Sequence, residues 1–432
     1  MNITSMQNPD TVAVIGGGAA GMMAAGALAA AGASVTLFEQ NSRPGCKLAI
    51  TGKGRCNLTN DCSPAEFLQN VTKNPRFLYS AINGFSPADT MALFESLGVP
   101  LKTERGRRVF PVSDRARDIV DALLRYCRGA RLLRERVLSV TCDGGRVTGV
   151  ATTVARYPAS AVILATGGCS YPRTGSDGNG YAIAAALGHT VTPLVASLVP
   201  IESCDPLCAA MQGLSLKNVS LRITGENGRV LYEDFGEMLF THFGVSGPMI
   251  LSASAHLRAC RGKCTAHIDL KPALDEKTLD RRLLSDIEAG ANRTLSHILG
   301  GLLPALMIPV CLQKTEIPPD RRGHDLTREE RHRLLRFLKD LSFPLSGFRP
   351  IEEAVVTSGG IDVREVDPGS MMSRLVSGLY FAGEILDVDA YTGGYNLQIA
   401  FSTAQAAARA IQKAERQKQN TDCVPPHAHA IK

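Results

Sequence analysis

The stretch TVAVIGGGAAGMMAAGALAAAGASVTLFEQ, residues 11–40, changes texture twice. Val12, Val14 and Ile15 read as a short buried strand, and a glycine cluster follows. Small residues from Ala19 to Ala31 read as a helix stopping at Gly32, and SVTLFE (34–39) reads as a second strand. Strand, tight turn, helix and strand make a βαβ unit, which opens a parallel sheet. Gly16-x-Gly18-x-x-Gly21 stands at its turn. Gly16 permits the turn, Gly18 lets backbone approach a pyrophosphate, and Gly21 lets helix pack on strand. The helix start at Ala19 and Ala20 then offers free N–H groups and a positive dipole end to phosphate. Glu39, followed by Gln40, ends the second strand, where a carboxylate accepts from ribose hydroxyls. An acid there disfavours a 2′-phosphate, so FAD or NAD is expected rather than NADP.

The C-terminal part separates these two. GLYFAGEILDVDAYTGGYNLQIAFSTAQAA places Gly383-Glu384 after a strand and Gly393-Gly394 before a helix that opens with Tyr395, Asn396 and Leu397. A second helix N-terminus aimed at one ligand suits a flavin, whose reduced ring carries negative charge that backbone N–H groups stabilise.

Between these ends the chain reads as follows. SPADTMALFESLG (86–98) and SDRARDIVDALLRYC (113–127) are helices with Ser86 and Ser113 as N-caps. RLLRERVLSVTCDGGRVTGVATT (131–153) reads as a β-meander, and SAVILATGG (160–168) as a strand returning to the parallel sheet. From about Ala196 hairpin signals such as Glu226-Asn227-Gly228 dominate, and residues 275–340 are helical, with a capping box at Thr327 and Glu330. GGIDVREV and GLYFAGEILDV return to strands before the last helix. The expected fold is therefore α/β: a discontinuous Rossmann-like FAD-binding domain (1–195 and 351–418), an inserted β-rich domain (196–274 and 341–350), a helical subdomain (275–340) and a polar tail (419–432).

Composition excludes several classes. The 432 residues are 44% hydrophobic and 20% charged, with no low-complexity tract, as in a globular protein. The apolar run 12–38 is broken by GGGAAG and has no basic leader, which argues against a membrane span or signal peptide. Twelve cysteines are dispersed without C-x-x-C, so free thiols in a reducing cytoplasm are expected and no metal site. A net charge of +6 suits anionic small molecules, and arginine runs at 105–108 and 328–336 keep RNA open without making it the expected partner. Oligomeric state is not legible.

The segments IGGGAAG, PGCKLAITGKGRCNLTN, GRRVFPVSDRARDIVDALL, ATGGCSYPRTGSDGNGYAIAAALGH, GEMLFTHFGVSGP and GLYFAGEILDVDAYTGGYNLQIAFSTA resemble the BaiN/YhiN-like family of FAD-dependent oxidoreductases, which includes aminoacetone oxidase-like proteins. The resemblance spans nearly the whole chain. It implies that the segment after Glu39 wraps over FAD, so that Gly52, Gly54, Arg55, Cys56 and Asn57 lie along it while Lys47 and Arg55 offset pyrophosphate charge. It also implies flavin contacts at Ala165, Thr166 and Gly167, with the backbone of Val137, or alternatively of Val140, beside adenine. Cys46, Lys53 and Met372 depart from the family pattern and weaken any transfer of substrate identity.

The expected activity is oxidation or reduction of a small organic substrate at FAD. With no second GxGxxG, NAD(P)H as reductant would dock transiently. Tyr171, Arg173, His242 and Tyr391 are the candidate acids, bases or orienting groups. An RNA-modifying flavoprotein and a non-catalytic flavin sensor are the alternatives.

Overall fold

A computed structural model describes residues 11–258 and 262–422; the expectations for 1–10 and for 423–432 of the tail lie outside the described residues. The chain divides into two compact units, residues up to 196 together with those from 355 onward, and residues 197–354.

The first unit is built on five parallel strands. β1 (Thr11–Ile15) lies at the centre, with β2 (Ser34–Phe38) and then Arg131–Leu133 on one side, and Ala161–Leu164 and then Leu379–Phe381 on the other. A parallel sheet is covered on both faces. Its strands accordingly read as unbroken apolar runs, and Val12, Val14, Val162, Ile163 and Phe381 are fully buried. Helix α1 (Ala19–Ala30) is buried almost throughout. Its small side chains fit there because the Tyr126 ring lies where a Gly26 Cβ would stand, and because the helix Tyr395–Asp422 reaches back to it through a Gln412 Nε2 bond to the Ala27 carbonyl. The chain leaves β1 towards β2 and later returns to the other side of β1. This switch point opens a crevice at the carboxyl ends of the strands.

Three local expectations are corrected. Arg131–Leu133 joins the parallel sheet beside β2, and the meander begins only at Val137. The helix expected to start at Ser113 starts at Ala116, because Asp114 takes a left-handed backbone (φ 56°) to meet Arg55 and Lys102; the Ser113 hydroxyl accepts only from Arg115 N–H. VREV is a 3-10 turn at Val363–Glu365 rather than a strand. The N-cap at Ser86 and the capping box at Thr327/Glu330 form as read, and Asp89 completes a second capping box with Ser86.

The second unit has a seven-stranded sheet whose longest hairpin, Ser215–Gly225 with Val230–Thr241, turns at Glu226-Asn227-Gly228. Helices Glu276–Ala289 and Arg328–Lys339 pack on it, so that Leu283, Leu334 and Leu338 share one core with Ile268 and Phe343. Among the described residues no helix is long and apolar enough to cross a membrane.

One buried histidine makes the first unit acid-sensitive. His189 is 4% exposed, with Nδ1 3.2 Å from a Glu365 carboxylate oxygen and Nε2 2.8 Å from Ser373 Oγ, and its ring meets Phe381 edge-on. Burial lowers its pKa below 6.5 and outweighs the opposing pull of Glu365. A depressed histidine pKa means that the unfolded chain binds the proton first. Its contribution is complete above about pH 6.5 and is lost as pH falls towards the folded value, at no more than about 1.4 kcal/mol per pH unit. His189→Gln should flatten urea-unfolding stability between about pH 7 and 5.5; an unchanged slope would show that His189 does not titrate on unfolding.

Candidate cofactor-binding site

The crevice is walled first by the glycine turn. Gly16 has φ 103°, and a Cβ there would stand 2.5 Å from the Ala165 carbonyl oxygen, so only glycine fits. Gly18 caps α1 without any side-chain bond, no acid occupies the first turn, and a Cβ on Gly18 would meet nothing within 4 Å. The first N–H groups of α1 therefore face open space with their dipole end unneutralised. Glu39 is 7% exposed; one carboxylate oxygen accepts from Gly17 N–H at 2.8 Å and the other from Asn41 N–H at 2.7 Å. Burial raises its pKa and these N–H donors pull it back. Each oxygen keeps a lone pair for a hydroxyl.

The second wall is the start of the helix Tyr395–Asp422. Gly393 (φ 121°) and Gly394 (φ 97°) turn the chain into it, and Asn396 fixes the turn by bonding both N–H and carbonyl of Ala390. Asn60 Nδ2 holds the Gly393 carbonyl.

A polar knot lies between the walls. Lys47 Nζ is 2.7 Å from Glu384 Oε2 and 2.6 Å from Ser170 Oγ, and Glu384 Oε1 accepts from Thr357 N–H and from Ser170. Thr166 Oγ1 is buried without a partner and belongs to a residue lining the crevice. The open N–H groups at the start of α1, with the Glu39 carboxylate beside them, fit a ligand that carries phosphates and hydroxyls.

Of the residues singled out from sequence, Gly16, Gly18, Ala19, Ala20, Glu39, Gln40, Lys47, Val137, Ala165, Thr166, Gly167, Glu384, Asn396 and Leu397 line this crevice. Gly21, Gly383, Gly394 and Tyr395 support it without lining it. Gly21 passes so close to Gly16 that a Cβ would stand 1.8 Å from its carbonyl oxygen. Tyr395 packs edge-on against Phe67.

The glycine-lysine-arginine segment divides. Gly45 N–H bonds the Gly17 carbonyl and brings Cys46, Lys47, Leu48 and Thr51 to the crevice. Gly52, Gly54, Arg55, Cys56 and Asn57 lie outside the lining. The Arg55 guanidinium is held instead by Glu104 at 2.5 Å and Asp114 at 2.6 Å, over the Phe110 ring. Cys56 is fully buried, and burial pushes its thiol up to about 12, which leaves it inert; Cys46 is likewise a free thiol.

The catalytic candidates fall in both units of the chain. Tyr171 and Arg173 are exposed on the loop beside the crevice, and Tyr391 bonds the Asn70 carbonyl through its N–H. His242 belongs to the second unit, exposed and edge-on to Phe243. Sequence reasoning missed Arg136 and Thr174–Asp177, which also line the crevice. The signal was the glycine-rich loop directly after the strand Ala161–Leu164, the usual place for ligand contacts in such sheets.

A model of the HI0933-like protein Rossmann domain matches residues 10–410. The chain is 32% identical over 409 residues to the 3-dehydro-bile acid delta(4,6)-reductase of Clostridium scindens, covering 92% of this chain and 98% of that protein. It is 35% identical over 400 residues to the ribosomal RNA dihydrouridine synthase of Escherichia coli, covering 92% and 96%. The crystal structure of 3-ketosteroid-delta4-(5alpha)-dehydrogenase from Rhodococcus jostii RHA1 shares the fold, with TM-score 0.52, 16% identity and coverage of 95% and 98%.

Proposed function

This chain belongs to the HI0933-like Rossmann family and is an FAD-dependent oxidoreductase, and from that premise we propose that it reduces a carbon–carbon double bond conjugated to a carbonyl. The observation that carries this reading is a chemistry common to two relatives aligned over 92% of the chain. A delta(4,6)-reductase of a 3-dehydro substrate and a dihydrouridine synthase are both named for adding hydrogen to unsaturated carbon beside a carbonyl.

The crevice fits FAD. The start of α1 and Glu39 would hold the pyrophosphate and ribose, and the start of the last helix the flavin end, with Lys47 and Glu384 of the polar knot lining the space between. Bound and reduced, FAD supplies a hydride. The chain supplies the rest: position, exclusion of water and a proton. Tyr171, Tyr391 and His242 are the proton donors we propose, with Arg173 orienting the carbonyl. NAD(P)H docks transiently as the source of electrons, and cysteines dispersed without a C-x-x-C pair suit a reducing cytoplasm.

For the substrate we propose a small conjugated ketone. A second reading, a uridine within ribosomal RNA, is favoured by the 35% identical relative and by charge: acidic and basic residues are equal in number over 197–354, so the net +6 lies in the rest of the chain. The test is anaerobic. Reduced protein mixed with a 4-en-3-ketone should recover oxidised-flavin absorbance and yield the saturated ketone. Recovery only with unmodified ribosomal RNA, and dihydrouridine in its digest, establishes the second reading. Reoxidation by neither defeats both.

A further inference from the structure

We infer that residues 171–179 form a strap that completes the nucleotide end of the crevice and must swing aside for FAD to enter or leave. The inference rests on the chain's binding FAD and adds to it the element that controls exchange.

Thr174, Gly175, Ser176 and Asp177 line the same crevice as Gly16–Gly18 and Glu39. What holds them there is polar. Asn41 Nδ2 donates to the Thr174 carbonyl at 3.0 Å and Gln40 Nε2 to the Gly175 carbonyl at 2.9 Å. Arg136 Nη1 donates to Gln40 Oε1 at 2.8 Å and to Asp177 Oδ2 at 2.7 Å, so one guanidinium ties the latch to the strap. All three latch residues follow β2 or precede Val137; none belongs to the strap's own stretch of chain.

Packing contributes little. Tyr171, Pro172, Arg173 and Asp177 are exposed, Thr174 and Gly175 half-buried, and Ser176 alone is buried. No apolar strap side chain reaches the core, in contrast to Tyr181 and Ile183 just beyond it. The Arg136–Asp177 pair is 42% and 29% exposed and on its own holds weakly. The backbone has the means to bend: Tyr171 (φ 52°), Gly175 (φ 100°) and Gly178 (φ 80°) are all left-handed. Gly175 also lies flat on the latch, since a Cβ there would stand 2.5 Å from Asn41 Nδ2. A segment held by a few exposed or part-buried polar bonds, with little apolar packing, opens locally without unfolding the sheet.

A gate and a mere contact behave differently. Loosening a latch that closes both the empty and the filled crevice raises entry and exit rates by one factor and leaves the dissociation constant unchanged. Removing a contact to the ligand raises the exit rate alone.

The test uses Asn41→Ala and the isosteric Asp177→Asn in the full chain. FAD release from holoprotein is followed by recovery of flavin fluorescence on dilution, and rebinding to apoprotein by its quenching. A lost hydrogen bond corresponds to about fivefold, so Asn41→Ala should raise both rates roughly fivefold and Asp177→Asn should raise both by a smaller common factor. Should Asn41→Ala fail to fold, Asp177→Asn reads the same two rates. Faster release with unchanged rebinding would overturn the gate and leave a contact; two unchanged rates would remove the strap from the path. A wild-type chain that takes up no FAD contradicts the cofactor assignment and not the strap.

Discussion

A Gly18→Val protein is expected to fold normally and to carry no FAD. Gly18 has φ −82° and ψ −166°, an extended conformation that valine adopts readily, and its added Cβ meets no protein atom within 4 Å. The isopropyl group therefore projects into the space that the first N–H groups of α1 face. A pyrophosphate cannot approach those donors past it, and the affinity for FAD should fall by about a thousandfold or more, ~4 kcal/mol. The thermal midpoint should match that of wild-type apoprotein. Gly21→Val is the contrast: its Cβ would lie 1.8 Å from the Gly16 carbonyl oxygen, so helix and strand would be forced apart and the fold itself should suffer. A Gly18→Val chain that retains its full flavin would contradict the assignment of this turn to phosphate.

Glu384→Ala should destabilise the first unit by about 2–4 kcal/mol. The Glu384 and Lys47 side chains are only 19% and 23% exposed, and alanine would leave the Thr357 N–H without its acceptor and the Lys47 ammonium with only the neutral Ser170 hydroxyl. Glu384→Gln keeps an acceptor and removes the charge, so it should cost less. The pair can be isolated by a cycle of Lys47→Met, Glu384→Gln and the double variant, read by urea unfolding. A coupling energy above about 1 kcal/mol is expected for partners this close and this sheltered; additive effects would mean that solvent screens the pair and that the knot is held by Ser170 and Thr357 alone.

The parts of this site that sequence reveals are local. Gly16, Gly18, Gly21 and Glu39 fall within one βαβ unit, where chain spacing determines spatial spacing, and the N-cap at Ser86 and the capping box at Thr327 depend only on the residues that follow directly. Arg55 shows the limit. Its glycine-flanked setting resembles a phosphate cradle, yet its charge is claimed by Glu104 and Asp114, residues 49 and 59 positions away, whose approach depends on how the intervening strands pair. The latch is hidden for the same reason, since Gln40 meets Gly175 across 135 positions. Arg131–Leu133 is too short for periodicity to speak, and its place in the sheet comes from its register with Thr36–Phe38. The polar knot was half legible. Lys47 and Glu384 were each assigned to the cofactor, but that they bind one another across 337 positions emerges only from the fold.

Native mass spectrometry of the purified wild-type chain, after incubation with FAD and buffer exchange, tests the central claim most directly. The account predicts a mass excess of one FAD per chain, absent from Gly18→Val treated identically. A wild-type chain that stays at its apoprotein mass, or one that retains a different nucleotide while excluding FAD, would contradict it.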